Sequence, residues 1–418
     1  MEFNRYSLEE VCTLITDGSH VSPKAVEVGY DMLSVKDMQD FDFNYSNSKK
    51  ISEADYLQLV KNNCQPIKDD VLIAKDGNSC LESCFVFKDN KPVVLLSSIA
   101  ILRSNREIID PYYLMYLLRL DTTKKALKDG YLSGSAIPRV VLKDFKKFPL
   151  YLPSLKEQKK IVSIIYNINN KIENNHEIIS ICEKFSQTLF KQWFIDFEFP
   201  NEEGKPYKSS GGEMVESELG EIPKGWDMKS LDEIAKFQNG LAMQKFRPEE
   251  SEESLPVLKI KELNQGSTTL NSERCSTKIK EDVKVFDGDV IFSWSGTLLV
   301  KLWTGGDAGL NQHLFKVTSG KYEKWFYYLW TKYYLRVFQA RASEKATTMG
   351  HIKRSHLKEA KVYLPSQEIL IKASKILKPI TENIITSGIE NKKLEQLRDT
   401  LLPKLLSGEI EIPDELEV

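Results

Sequence analysis

Two stretches of the chain carry apolar residues at helical steps of three and four. In the first, Ile161, Ile165, Ile168, Ile172, Ile179, Cys182 and Leu189 fall along one seam. In the second, Ala373, Leu377, Ile380, Ile384, Leu394 and Leu401 keep the same register. The spacing predicts long helices over 155–195 and 367–407, each roughly 60 Å long at about 1.5 Å per residue. Asn175 and Ser186 interrupt the first stripe, and Ser387, Asn391 and Arg398 the second. Pro379 and Gly388 weaken the second further. Imperfect stripes at matched positions predict that the two helices bury them against each other. The alternative is that each helix covers its own domain.

Elsewhere the pattern is different. Short apolar runs such as residues 93–96 and 290–292 alternate with Gly, Pro, Asn and Asp, which predicts short strands joined by turns. A few helices intervene, for instance over 112–120 and 325–338.

The chain also repeats itself. Leu152-Pro153-Ser154 recurs 212 residues later as Leu364-Pro365-Ser366, and at the same offset Ile164, Ile168 and Ile172 meet Ile376, Ile380 and Ile384. Upstream, Ile137-x-Arg139-x-x-Leu142-Lys143-Asp144 matches Ile352-x-Arg354-x-x-Leu357-Lys358-Glu359 at an offset of 215. Asp70-Val71-Leu72-Ile73 resembles Asp289-Val290-Ile291-Phe292 at 219, and Leu8-Glu9-Glu10-Val11 resembles Leu231-Asp232-Glu233-Ile234 at 223. Drifting offsets are what small loop insertions produce, so a half-molecule of roughly 200 residues is present twice.

These patterns predict an α+β protein with a pseudo-two-fold internal repeat. Two mixed α/β domains are separated by two long helices that form an antiparallel, coiled-coil-like pair. The expected boundaries are a first domain at 1–151, a first helix region at 152–197 and a Gly-, Ser-, Glu- and Lys-rich linker at 198–224. A second domain follows at 225–363, a second helix region at 364–410 and a tail at 411–418.

Composition first narrows the chemistry by exclusion. No run approaches the roughly 18 apolar residues of a membrane span, and residues 1–8 lead into no signal-type apolar segment. A cytoplasmic address and no membrane partner are expected. The six cysteines are few and scattered for a disulfide framework. Cys80 and Cys84 form a lone CxxxC without a second ligand pair, so they are read as ordinary buried thiols and no metal site is assigned. Phosphate-loop, dinucleotide, nucleophile-elbow and HExxH motifs are all missing. The five histidines never pair with cysteines or carboxylates at ligand spacing. The chain is therefore read as non-catalytic, with no cofactor of its own.

Lys and Arg total 58 against 60 for Asp and Glu, a net charge of −2 that gives bulk electrostatics no nucleic-acid signal. Regional sums change that picture. Residues 119–147 carry eight basic and three acidic side chains, and residues 324–361 carry nine and two. Both runs precede a long helix, and each surrounds a small polar loop, Ser133-Gly134-Ser135 or Thr347-Thr348-Met349-Gly350. Small residues let backbone N–H groups approach phosphates while flanking cations neutralise them.

The candidate DNA-contacting residues are Lys124, Lys125, Lys128, Ser133, Gly134, Ser135, Arg139 and Lys143 in the first half. In the second they are Arg341, Lys345, Thr347, Thr348, His351, Lys353, Arg354 and Lys358. Amides such as Asn78 or Gln312 are suited to reading adenine. Trp294 and Trp303 are candidates for base contact, although a core role is the commoner one for so large a side chain. A plain solvated surface is the competing reading of the basic runs.

Together these features resemble the specificity subunit of type I restriction–modification systems. The resemblance rests on Leu-Pro-Ser-x-x-x-Gln at 152–158, Leu189-Phe190-Lys191-Gln192-Trp193-Phe194 and Gly220-Glu221-Ile222-Pro223-Lys224-Gly225-Trp226. It rests also on the run from Leu401-Leu402-Pro403-Lys404-Leu405-Leu406 to Ser407-Gly408-Glu409-Ile410. It implies two target-recognition domains that each read half of a split sequence in double-stranded DNA. It also implies a helix pair that sets the gap and docks two modification subunits, joined by restriction/translocase subunits. S-adenosylmethionine, ATP and Mg would sit on those partners and none on this chain. In the second copy Leu370 replaces Gln158, so the contacts at the two helices need not be equivalent. A two-headed protein-interaction scaffold without DNA readout is the alternative, and an enzyme with an unrecognised site the third reading.

Overall fold

The computed structural model describes residues 2–89, 91–133, 138–343 and 350–413. They form two compact units, residues 1–168 with 397–418, and residues 169–396.

Unit one begins with β1 (Asn4–Ser7), β2 (Cys12–Asp17), β3 (Tyr30–Leu33), β4 (Lys49–Ile51) and α1 (Glu53–Lys61). Then come β5 (Val71–Ala74), β6 (Cys84–Val86), β7 (Val93–Leu95), β8 (Ile99–Ser104), α2 (Pro111–Arg119) and α3 (Asp121–Tyr131). It continues through β9 (Leu132–Ser133), β10 (Arg139–Val140), α4 (Leu142–Phe145) and β11 (Pro149–Leu152). An antiparallel sheet has the order β2-β8-β5-β6, and a second has the order β4-β3-β7 with β3 and β7 parallel. β1 pairs with β11, Asn4 opposite Leu152, which closes the domain on itself.

Every side chain of β5 is fully buried, which explains an unbroken Val-Leu-Ile-Ala where a half-exposed strand would alternate. α2 starts where it does because Pro111 tolerates the first helical position and the Asp110 carboxylate accepts the N–H groups of Tyr112 and Tyr113. Burial pushes the thiols of Cys80 and Cys84 up to about 11 and about 12, so both are protonated at neutral pH.

The first long helix is α5 (Leu155–Phe194). Its Gln158 side chain is fully buried in unit one. The amide accepts the Asp110 N–H at 3.0 Å and donates to the carbonyls of Ile108 and Pro153, each at 3.0 Å. Gln158 therefore clips the helix start to its own domain, a structural task that Leu370 cannot perform in the second copy.

Unit two repeats the plan. β12 (Met214–Ser217) and β13 (Gly220–Pro223) form a hairpin. They precede β14 (Asp227–Ser230), α6 (Leu231–Ile234), β15 (Lys236–Asn239), β16 (Ser254–Leu258), α7 (Ile260–Gln265) and β17 (Arg274–Ser276). Next are β18 (Lys284–Val285), β19 (Val290–Ser293), β20 (Leu299–Leu302), β21 (Ala308–Leu310) and β22 (Leu314–Thr318). The chain then forms α8 (Lys324–Ser343), α9 (Arg354–Glu359), β23 (Lys361–Leu364) and α10 (Gln367–Ser407). The order β15-β22-β19-β20 repeats β2-β8-β5-β6, and β14 pairs with β23 as β1 does with β11. β16 and β21 are parallel, like β3 and β7.

The segment read as a linker is ordered in unit two. Besides the hairpin, Phe199 stacks on Tyr207 and on Trp226 at 4.5 and 5.1 Å between centroids.

The long helices pair within each unit. In unit one, Ile161 and Ile165 share a core with Leu405 and Leu406. In unit two, Phe190 and Phe194 share one with Ala373 and Leu377, and Asn175 meets Asn391, so the partners run antiparallel. Four of the five polar residues that break the stripes are buried, Asn175, Ser186, Ser387 and Asn391, whereas Arg398 is partly exposed. Asn175 Nδ2 donates to Asn391 Oδ1 and Glu390 Oε2, both at 2.8 Å, and Asn391 Nδ2 donates to the Ile172 carbonyl at 3.2 Å. Ser186 Oγ is satisfied by the Cys182 carbonyl one turn back. α10 runs through Pro379 and Gly388. A Cβ on Gly388 would lie 2.7 Å from Thr304 Oγ1, so the missing side chain permits a close approach. No helix among the described residues is long and apolar enough to cross a membrane.

Candidate nucleic-acid interface

In both units a basic segment is hydrogen-bonded to the same end of the four-stranded sheet. In unit one, α3 is anchored by fully buried Leu127, and β10 returns antiparallel to β9. The Val140 N–H donates to the Lys75 carbonyl and the Gly77 N–H to the Pro138 carbonyl. In unit two, α8 leads out, Ile352 N–H donates to the Trp294 carbonyl, and Gly296 N–H donates to the Gly350 carbonyl. The bridge between Asp76 and Arg139 thus has its counterpart between Ser295 and His351.

This equivalence corrects the repeat register. By hydrogen bonding, the position of Arg139 is occupied in unit two by His351, an offset of 212, and not by Arg354 at 215. Buried Phe145 and Leu357 occupy matching places at the same 212. The Ile-x-Arg-x-x-Leu-Lys similarity is a local coincidence three residues out of register.

The candidate residues divide into three groups. Lys124 and Lys128 both bind Glu82, at 3.2 and 2.7 Å. The hydrogen bond from Lys128, then that from Lys124, holds Glu82 below the usual carboxylate range, and Glu82 in turn raises Lys128. Arg139 is half-exposed with Nε 3.3 Å from Asp76 Oδ1, and Arg341 pairs with Glu359.

Lys125, Lys143, His351, Lys353, Arg354 and Lys358 are exposed. Arg354 donates from Nη2 to the Phe237 carbonyl at 3.3 Å, and its guanidinium lies 5.5 Å from the centre of the Phe315 ring. Arg354 and Lys358 line an open cleft of about 750 Å³ with Lys236 and Lys321, faced by Asp232 and Glu233. Gly134, Ser135, Lys345, Thr347 and Thr348 lie outside the described residues; Ser133 contributes its backbone to the β9–β10 pairing.

The same sheet end carries residues that the charge pattern did not single out. Alternation carries the core face outward to a polar rim. In unit two, Asn239 lies opposite Phe315 and Phe292 opposite Phe315; two residues beyond come His313 and Trp294. In unit one, Asp17 lies opposite Ala100 and Ile73 opposite Ala100; two residues beyond come Ser98 and Lys75.

The two rims differ in chemistry. Lys75, 2% exposed, places its ammonium 3.2 Å from Asp17 Oδ2 and 3.6 Å from Asp76 Oδ1, and His20 Nε2 is 3.3 Å from Asp17. A charge so deeply buried requires such partners. Unit two has no ion pair at these positions among the described residues: Trp294 sits 5.9 Å from the His313 ring and 5.7 Å from Phe315. Trp303, by contrast, is core, with its indole N–H donated to the Gly306 carbonyl. Asn78 is exposed.

Chain comparisons agree with this architecture. A family model described as the type I restriction modification DNA specificity domain matches residues 1–183 and 223–398. The chain is 30% identical over 311 residues to the type I restriction enzyme MjaIX specificity subunit of Methanocaldococcus jannaschii, covering 72% of this chain and 69% of that one. It is 24% identical over 444 residues to the HindI specificity subunit of Haemophilus influenzae, covering 88% and 96%. A crystal structure of the type I restriction–modification S subunit from M. genitalium shares the fold, with a TM-score of 0.57 at 15% identity over 97% of this chain and 96% of that one.

Proposed function

The chain belongs to the type I restriction–modification DNA specificity family, and from that premise we propose that each of its two units reads one half of a bipartite DNA target. The observation that carries this reading is the repeated site. Each unit has the same antiparallel sheet, and each returns a basic segment to the same end of it, through Asp76 and Arg139 or Ser295 and His351. Phosphate contacts position a protein on the duplex and base-edge contacts specify the sequence. In this reading Lys125, Arg139, Lys143, Lys353, Arg354 and Lys358 supply the former, and the polar rims supply side chains for the latter.

Methyl transfer from S-adenosylmethionine belongs to modification subunits that dock on this chain, and ATP- and Mg-dependent cleavage to restriction subunits. This chain's task is selection. The test is a selection from randomised duplexes by the chain assembled with modification subunits, followed by affinity measurements across salt. Two conserved blocks separated by a random gap, with a log–log salt slope of about 0.9 per phosphate neutralised, are expected. Salt-insensitive binding without sequence preference would favour the two-headed scaffold instead.

A further inference from the structure

We propose that unit two carries a phosphate-binding cleft for the DNA backbone that borders its half-site, and that unit one lacks this cleft. The proposal rests on the DNA-reading function above and says where unit two grips the duplex. Lys236, Lys321, Arg354 and Lys358 line the open cleft of about 750 Å³ together with Asp232 and Glu233. All four cations are exposed, so a phosphate can reach them. Among the described residues Lys321, Arg354 and Lys358 form no ion pair, and Lys236 has only a solvated contact with Asp282 at 3.9 Å. The two carboxylates are already engaged. Asp232 Oδ1 lies 2.6 Å from the Ser230 hydroxyl, and Glu233 Oε2 accepts the Ser230 N–H at 2.6 Å and lies 2.7 Å from the same hydroxyl. Four cations against two carboxylates leave the cleft a net charge of +2.

The fold holds these cations in place before any ligand arrives. Arg354 Nη2 donates to the Phe237 carbonyl at 3.3 Å, and its guanidinium lies over the Phe315 ring. Lys358 follows one turn along α9, on the same face. Arg matches phosphate oxygens with a planar fork, and Lys meets them as a point charge. β15 runs from Lys236 at the cleft to Asn239 at the rim, three steps of about 3.4 Å. That is the scale of the major groove, about 12 Å wide. A duplex whose base edges face the rim therefore brings the phosphates of its bordering strand over the cleft.

Unit one shows that the fold itself does not create this cleft. Asn239 opposite Phe315 matches Asp17 opposite Ala100, and three steps back along each strand Lys236 falls on Leu14. At the offset of 212 Arg354 falls on Leu142, which packs against the core of unit one. Lys321 stands three residues before α8, where Ile108 stands three residues before α2 and also packs against that core. Of the four cations only Lys358 has a basic counterpart, Lys146. Arg103, opposite Leu14, is tied to Asp70 by two hydrogen bonds of 2.9 Å. The same place is apolar or neutralised in unit one and open to an anion in unit two.

The test uses the full chain assembled with modification subunits, on duplexes that carry its selected bipartite site. Wild type is compared with the double variant Lys236→Gln, Lys321→Gln, which changes two exposed side chains. Losing two neutralised phosphates is expected to lower the log–log salt slope by about 2 and to weaken binding about 30-fold at about 0.15 M salt, equally for every sequence. Methylphosphonates that neutralise single backbone phosphates beside the half-site read by unit two should cost the wild type affinity and cost the variant nothing. At the other half-site they should affect both proteins alike. An unchanged salt slope, or methylphosphonate losses that are the same in both proteins at both half-sites, overturns the cleft and leaves the DNA-reading function standing. Inorganic tripolyphosphate that binds the wild-type complex and not the variant, while DNA binding is the same in both, assigns the cations to a free ligand and likewise overturns the proposal. A wild-type complex that selects no sequence overturns the function itself, and the cleft with it.

Discussion

The buried asparagine pair in the helix seam makes a sharp thermodynamic prediction, because its two members should not behave additively. Asn175 is 1% and Asn391 4% exposed, and one bond of 2.8 Å joins them. Asn175→Leu removes that donor and leaves Asn391 Oδ1 buried without a partner. The orphaned oxygen costs about 1–3 kcal/mol. The lost bond to Glu390 adds little, since that carboxylate is 44% exposed and water replaces the amide. A net destabilisation of about 2 kcal/mol is therefore expected for the single variant. The double variant, Asn175→Leu with Asn391→Leu, removes the orphan as well, and replacing both partners by apolar groups of similar shape is close to neutral. It should recover most of the loss.

The assay is thermal unfolding followed by tryptophan fluorescence, which reports unit two alone because all six tryptophans lie within residues 169–396. For a unit of this size about 2 kcal/mol corresponds to a Tm lowered by about 4–8 °C. The double variant should melt within about 3 °C of wild type on the same scale. A double variant whose Tm falls by the sum of the two single losses would refute the reasoning, since independent losses mean that the two amides do not satisfy each other.

Other consequences follow from single contacts. Glu82→Gln frees Lys124 and Lys128 from their carboxylate, so DNA affinity at low salt should rise several-fold and the salt slope steepen by up to about 2. Unchanged affinity and slope would place those lysines away from DNA. Gln158→Leu gives the first helix start the residue of the second copy, leaves the Asp110 N–H and two carbonyls unanswered, and should cost about 2–4 kcal/mol. Hydrogen exchange at Asp110 reads it directly, and full protection in the variant would contradict the clip. Glu390 is held below the usual carboxylate range, first by the Asn175 amide and then by Lys171. Its contribution is thus present above the unfolded value and lost as pH falls through the lowered one. Glu390→Gln should flatten the acid side of the unit-two stability profile, while leaving the neutral side little changed.

The long helices were legible in the sequence because their apolar spacing is intrinsic to one segment. α5 and α10 span 155–194 and 367–407, as the stripes predicted. The polar breaks in those stripes carried no such information, because Asn175 and Asn391 satisfy each other only once the helices are antiparallel. The repeat was legible at both ends and misread in the middle, where four shared letters (Ile, Arg, Leu and Lys) placed Arg139 on Arg354 instead of His351. Backbone pairing corrected it. The charges were legible as numbers and not as partners: Glu82 lies 42 and 46 residues from the lysines that it neutralises. The rim was the least visible. Asn239, Trp294 and His313 belong to three segments, and the pairing of β15, β22 and β19 brings those segments to one sheet end.

The central claim is that one chain reads two half-sites. Methylation mapping of a host that carries modification subunits, with and without this chain, tests it most directly. A bipartite adenine-methylated motif that appears only with the chain, and whose second block changes when residues 225–363 are exchanged for those of a relative, is the predicted result. A motif that is continuous, or that is the same in both hosts, would contradict it.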